Sequence, residues 1–410
     1  MALRFASIAP VLVLVACASQ PSAEVAQSEE VVAQPAANGG YAFELKARSS
    51  EDPDDPSGAF LVPAGASAKN ATPCINESGA VAIDLLTADN LEHVFADGKV
   101  RYTGPDPDAT ISDTAIDDAG NVVFNQWNGT SGNGVWTYSS RTGEPTFLSA
   151  DPLGAEAWGN VSNRPSSGKI GVRPSGGGKR WLGYLDADGF TKLAVEDNTS
   201  PSSPYSYVFA PKFDRAGRAA LKVLLVAGGN DIRILAKGVE PIIVAQERAA
   251  SPSGAYDALD NGVGFNDVGQ VAFVAKTGTT RGVYLANGTQ TTKIAAEGAD
   301  DVKEITYFTP VVNDAGKVAF RGMDTQGRNV IWLGDGTTLV RVATAGDTLP
   351  SDKGDALAIP ETAFDPANKV VFGGGIAING RGQIAFLAAL ASKDAPATRY
   401  GTALFVATPR

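Results

Sequence analysis

One histidine, two cysteines and two methionines are all that 410 residues contain of those types. A single histidine excludes a metal site built on several imidazoles and leaves one candidate at most for a histidine-dependent triad. Positive charge is also in deficit, with 34 Lys and Arg against 45 Asp and Glu for a net −11, so nucleic acid and anionic lipid surfaces are poor partners. No recognisable nucleophile, phosphate or metal motif stands in the chain, and neither a cofactor nor a metal is expected. What is abundant is punctuation. There are 46 Gly and 24 Pro beside 43% hydrophobic residues, which predicts an all-β protein of many short strands joined by turns.

The apolar stretch from Phe5 to Ala16 follows one positive charge, Arg4, and is too short to span a bilayer. It ends in Leu14-Val15-Ala16-Cys17, which resembles the lipobox of bacterial lipoproteins. The resemblance implies a signal peptide over 1–16, a lipidated Cys17 as the mature N-terminus, and membrane attachment through the lipid. Residue 18 is Ala and not Asp, which favours the outer membrane of the cell envelope. Residues 17–40 carry almost no large apolar side chain and read as a flexible tether. With Cys17 acylated, Cys74 has no disulfide partner and is expected as a small residue at a strand start.

Comparing the chain with itself reveals a repeat. Asn266-Asp-Val-Gly269-Gln-Val-Ala272-Phe273, Asn313-Asp-Ala-Gly316-Lys-Val-Ala319-Phe320 and Asn379-Gly-Arg-Gly382-Gln-Ile-Ala385-Phe386 share one ungapped pattern. Looser copies start at Asn76 with Gly79, at Asp117 with Gly120 and at Asp214 with Gly217, and a seventh keeps Gly168 but has Pro165 in place of the Asn. An Asx side chain closes a turn on the backbone two residues on, and Gly three positions later supplies positive φ. The Asn and Gly residues are therefore structural turn residues, not a catalytic series. Each copy is followed by strand signals that make a meander of three or four antiparallel strands. Such sheets must stack, and seven of them suit a closed β-propeller over 41–410, one domain, with an open solenoid as the alternative. The last repeat ends after its second strand, and residues 41–48 resemble the missing third. They are expected to complete the last blade and close the ring.

The motif is similar to that of the bacterial tandem-repeat proteins named for Asn-x-x-Gly-x-x-Ala-Phe, which implies a repeat architecture and an exported location. His93 is expected at the surface. The acidic clusters at Asp52–Asp55, Asp113–Asp118, Asp186–Asp188 and Asp300–Asp301 lack the spacing of a calcium loop and read as solvated turn carboxylates. Trp136, Trp181 and Trp332 match Tyr284 in position and read as blade packing. Trp127 and Trp158 stand beside Asn and Gly, are expected in connections, and are the candidate sugar or peptide platform. An insert over 351–369 is a second candidate face. The function expected is a monomeric, non-catalytic binding or scaffolding module for an envelope protein or glycan. The alternative is a polysaccharide hydrolase or lyase using carboxylates in a central channel.

Overall fold

The computed structural model describes residues 40–49, 71–87, 90–149, 157–162, 167–176, 179–197, 200–359 and 372–410. Cys17, the tether and the Asp52–Asp55 cluster lie outside the described residues. The described strands form seven antiparallel sheets, the blades of a β-propeller. Blade 1 comprises Cys74–Ile75, Val81–Leu86, Glu92–Ala96 and Lys99–Thr103; blade 2 comprises Thr110–Ile116, Val122–Trp127, Gly134–Tyr138 and Pro145–Ser149. Blade 3 comprises Ala157–Ser162, Ile170–Gly176, Lys179–Asp186 and Gly189–Val195. Blade 4 has a broken first strand, Tyr205–Val208 with Lys212–Phe213, then Ala219–Leu225, Asn230–Ala236 and Val239–Gln246. Blade 5 comprises Ala258–Phe265, Val271–Thr277, Thr280–Asn287 and Gln290–Ala296. Blade 6 comprises Val302–Ile305 with Val311–Val312, then Val318–Asp324, Asn329–Gly334 and Leu339–Thr344.

Blade 7 closes the ring as expected. Tyr41–Arg48 pairs antiparallel with Arg399–Pro409, from Tyr41 opposite Pro409 to Arg48 opposite Ala403, outside Ile384–Ser392 and Ala377–Ile378. The insert is not a free loop in its first half. Thr348–Ser351 and Gly354–Ala358 form a hairpin that joins blade 7 through Ile384–Ser392, because Ala356 and Ala358 are fully apolar and find buried places there.

The motif's Ala-Phe pair explains how blades stack. Adjacent residues of a strand point to opposite faces, so Phe273 packs toward blade 4 while Ala272 packs toward blade 6. Four of the seven interfaces set a phenylalanine of one blade against an alanine of its neighbour in this way. Ala220 meets Phe273, Ala272 meets Phe320, Ala319 meets Phe386 and Ala82 meets Phe124. Seven buried clusters result, one at each interface, including the one between blades 7 and 1 that contains Ile83, Leu387 and Leu404.

Each motif turn is built as its residue types dictate. Asn379 Oδ1 accepts N–H bonds from Arg381 at 3.1 Å and Gln383 at 3.0 Å, and the Gly382 N–H donates to the Asn379 carbonyl at 3.0 Å. Gly269, Gly316 and Gly382 have φ of +91°, +74° and +76°. At these angles a Cβ would crowd the neighbouring carbonyl.

Candidate functional site

The strand preceding each turn faces the central axis. Ile75, Ile116, Phe213, Phe265, Val312 and Ile378, the residues immediately before six of the turns, converge on one cavity of about 210 Å³. They make an apolar collar. Above it the first turn residues, Glu77, Arg215, Asp267 and Asp314, form a charged rim. These side chains are already engaged. The Glu77 N–H donates to Asp118, Arg215 N–H to Asp267, Asp267 N–H to Asp314 and Gly380 N–H to Glu77, all at 2.8–3.1 Å. Arg215 adds an ion pair to Asp267 at 2.8 Å.

A second ring runs beneath. Asn76 Nδ2 donates to the carbonyl of Asp117, Asn266 to Asn313, Asn313 to Asn379, and Asn379 to Asn76, at 2.8–3.1 Å. Asp117 and Asp214 hold their own turns but cannot donate onward, since a carboxylate has no N–H. Asp117 is buried and not solvated, a correction to its place among exposed turn carboxylates. The turn demands an acceptor that faces inward, and burial follows.

Other carboxylates clasp adjacent blades. Glu196, Glu247 and Glu297 stand at or just past the ends of outer strands, and each accepts an inner-strand N–H of the next blade: Val208 at 3.0 Å, Leu259 at 2.9 Å and Ile305 at 2.9 Å. Cations on second strands do the reverse. Arg173 donates to the Val208 carbonyl at 2.9 Å, Lys222 to Leu259 at 2.7 Å, and Arg321 to Phe372 and Gly374. The Leu259 carbonyl lies where the inner strand of blade 5 bulges, between Leu259 and Val263, and Phe372 and Gly374 lie ahead of the strand Ala377–Ile378.

The inner segments of blades 4, 5 and 6, including the breaks at 209–211 and 306–310 between strand pieces, carry a different surface. It lies five to seven residues before the turn, on the order of 15 Å along an extended strand from the collar. Tyr207 and Phe209 meet at 4.6 Å between ring centroids. Arg180 lies over Tyr207 at 4.6 Å, Lys222 over Phe209 at 4.7 Å, Arg281 over Tyr307 at 4.1 Å and Arg321 over Phe308 at 3.9 Å. Between the two aromatic pairs, Lys222 reaches Asn261 Oδ1 at 3.1 Å and Arg281 pairs with Asp260. Tyr307 is 82% exposed. Burial raises the Asp260 carboxyl above its ordinary range against the opposing pull of Arg281, and burial lowers Lys222 against the charges of Glu247 and Asp260.

The aromatic platform expected from the sequence sits elsewhere. Trp127 is the last residue of a second strand, paired with Thr110 and half-buried, and Trp158 is on the inner strand of blade 3, paired with Pro174. Neither lies in a connection, because the strand ladder extends past the Asn and Gly residues that suggested a loop. Trp136, Trp181 and Trp332 occupy third strands with Tyr284. Trp136 stacks on Phe124 in the blade interior. Phe209, Asn261 and Phe308, by contrast, each precede their turn Asx by five residues. Aligning the repeats upstream of the turn would have exposed that register.

His93 is buried, not superficial, and its ring nitrogens meet Thr87 Oγ1 at 3.0 Å and Thr103 Oγ1 at 2.9 Å. Cys74 starts the first strand of blade 1, with Sγ 3.4 Å from the Ala82 carbonyl, and burial pushes its thiol up to about 11, far from a reactive thiolate. Nearby, burial pushes Asp84 up to about 7, helped by the charges of Asp113 and Glu92. A carboxyl whose pKa rises on folding disfavours the folded state once ionised. The penalty is absent below about pH 4 and complete above about pH 7. Asp84→Asn is accordingly expected to gain stability relative to the parent between pH 4.5 and pH 8, by roughly 2–4 kcal/mol. Urea midpoints at the two pH values measure it, and an equal difference at both would refute it. Among the described residues no group of three or more His, Cys, Asp and Glu is arranged to hold a metal ion.

No curated protein matches the chain. Among solved structures it is similar to the β-propeller domain of the Trilobed protease from Pyrococcus furiosus, at 13% identity and a TM-score of 0.51, covering 83% of this chain and 95% of that one. That propeller is described as having an open velcro topology, whereas here Tyr41–Arg48 completes the last blade. A prolyl endopeptidase matches at 11% identity and a TM-score of 0.49 over 84% of this chain, which spans about half (51%) of that enzyme's length. The six-bladed lectin of Aleuria aurantia matches at 9% identity and a TM-score of 0.38, over 68% of this chain and 95% of that one. At these identities the likeness establishes the fold alone. Residues 156–407, more than half of the sequence, match the family described as "Family of unknown function (DUF7453)", and the chain belongs to that family.

Proposed function

We propose that this protein is a lipid-anchored module of the bacterial cell envelope that binds a protein or glycan ligand without transforming it. The observation that carries the proposal is how the carboxylates of the inner strands and turns are used. Glu77, Asp118, Asp267 and Asp314 accept backbone N–H bonds from neighbouring turns, and Glu196, Glu247 and Glu297 accept them from neighbouring blades. An acid or base needs a lone pair or proton aimed at open space where a substrate can sit. Each of these groups is fixed by a bond that ties one turn or blade to the next, which is a structural use. The arc of cation-backed aromatics is by contrast a rigid surface available to a ligand. Lipidation of Cys17 would hold the propeller at the outer membrane, with residues 18–40 as the spacer.

The hydrolase or lyase alternative has one favourable feature, Asp260, whose protonated form is promoted by burial. Its neighbour Glu297 does not supply the second carboxylate, since Oε1 already accepts from Ile305 and faces Arg281 at 3.5 Å. Two measurements decide. In a bacterial host, radiolabelled palmitate is expected to mark the wild type and not Cys17→Ser, and equal labelling would end the anchor. Full-length Cys17→Ser is expected to release no product from a polysaccharide panel. Product release that Asp260→Asn abolishes would replace the binding module with an enzyme.

A further inference from the structure

We propose that the axial cavity is a second binding site, which takes a small organic cation whose apolar body fills the collar while its primary ammonium meets the carboxylates of the rim. The site is independent of the protein or glycan ligand proposed above.

Wall and mouth of this cavity differ in kind because they come from different positions of one repeated segment. The residue just before a turn Asx supplies the collar, and the residue just after it supplies the rim. Ile75, Ile116, Phe213 and Val312 are at most 8% exposed although they border an open space, so the collar is apolar surface that folding left without a neighbour across the axis. The mouth is accessible, with Arg215, Asp314 and Gly380 exposed.

Size limits the body of the ligand. An apolar cavity of about 150 Å³ holds benzene. At about 210 Å³ this one takes a single ring with a two-carbon arm and leaves no space for a polymer segment. Apolar walls gain by replacing water with such a body, and two of them, Phe213 and Phe265, are aromatic and offer ring contacts.

Charge decides the polar end. Three carboxylates, Glu77, Asp267 and Asp314, share the mouth with one cation, Arg215, which leaves a net −2 among the lining residues. Arg215 is paired with Asp267 at 2.8 Å. The backbone N–H bonds between turns hold these side chains in place without cancelling their charge, because a carboxylate has about four lone-pair positions. Asp314 accepts one N–H, from Asp267 at 2.9 Å, and forms no ion pair among the described residues. A neutral ligand over the mouth would strip water from these groups without compensation, and an anion would be repelled. An ammonium brings three N–H donors and the missing positive charge. A polypeptide N-terminus carries the same group, but its first carbonyl would also lie against the carboxylates, where an acceptor finds no donor.

The test is calorimetry on full-length Cys17→Ser with phenethylammonium, its neutral analogue 2-phenylethanol and the anion 3-phenylpropionate. Phenethylammonium is expected to bind with a Kd below about 1 mM, the scale for about nine heavy atoms in a partly open site. The alcohol should bind at least about fivefold more weakly and the anion not at all. Glu77→Gln with Asp314→Asn keeps an acceptor in each turn and removes two charges. That double variant should weaken the ammonium at least about fivefold, as loss of two exposed ion pairs does, and leave the alcohol within about twofold. Ile378→Trp, which fills the collar, should abolish binding of both, with melting curves reporting that the ring is intact. No binding of phenethylammonium overturns the site, as does equal affinity for the alcohol or unchanged affinity in the double variant. Tenfold tighter binding of Phe-Gly-Gly amide than of the free amine overturns the small-molecule occupant in favour of a polypeptide N-terminus. The envelope ligand stands or falls by its own measurement.

Discussion

Deleting residues 41–48 is expected to abolish cooperative unfolding of the propeller, and Arg48→Ala alone to cost about 3–5 kcal/mol. Tyr41, Phe43, Leu45 and Ala47 are all at most 5% exposed and pack among blades 6, 7 and 1. Burial of the three large side chains stabilises by about 5–9 kcal/mol in total at roughly 1.5–3 kcal/mol each, which is much of a typical domain's stability of about 5–15 kcal/mol. The deletion also bares the edge of Arg399–Pro409, a long strand that would then be open to pairing with another copy. Arg48 adds a polar lock. It is fully buried, and its guanidinium reaches Asp352 with Nε at 2.7 Å and Nη2 at 2.9 Å, tying the latch to the inserted hairpin. Removing the arginine strands a carboxylate that is itself 9% exposed, and a buried ion without its partner carries the full desolvation cost. Calorimetric melting measures both. A deletion of residues 18–38 is the control and should leave the midpoint unchanged; an unchanged midpoint on deleting 41–48 would show that the ring does not depend on its latch.

Asn379→Asp is expected to destabilise the fold by about 2–3 kcal/mol although the turn itself survives. The aspartate keeps the Oδ1 acceptor that closes the turn on Arg381 and Gln383. It loses the Nδ2 donor to the Asn76 carbonyl at 2.8 Å and to Gln383 at 2.7 Å. Because the side chain is 1% exposed, a carboxylate oxygen would then face a carbonyl oxygen with no water to separate them. Asn379→Ala should cost more, because it removes the turn acceptor as well. Urea unfolding of the three proteins separates the contributions. If Asn379→Asp lies within about 0.5 kcal/mol of the parent, within ordinary surface-substitution scatter, the circumferential ring adds nothing beyond the turns.

The Asx-Gly turns are the most legible part of this molecule because their bonds span at most five residues. Asn76, Asn266, Asn313 and Asn379 with their glycines announce the repeat whatever surrounds them. The same residues concealed their second role. That Nδ2 of Asn313 meets the Asn379 carbonyl, 66 residues on, depends on how one blade is rotated against the next. His93 misled for a related reason. Two threonines, Thr87 and Thr103, satisfy its ring inside blade 1, and nothing in Leu91–Phe95 reveals them. Trp127 and Trp158 suggested loops because Asn and Gly flank them, yet the ladder tolerates both at strand ends.

The sequence by itself determined the all-β class, the seven units, the turn chemistry and the strand that would close the ring, since each follows from a local pattern repeated at regular spacing. Tertiary structure decided which carboxylates bond neighbouring blades and which aromatic rings stay exposed. Tyr307 belongs to blade 6, Arg281, Asp260 and Asn261 to blade 5, and Lys222 to blade 4, and their contacts span 21 to 39 residues. No short-range preference brings them together. They meet because the packing of blade against blade, Ala against Phe between blades 4 and 5 and between blades 5 and 6, sets the rotation that brings their inner segments side by side.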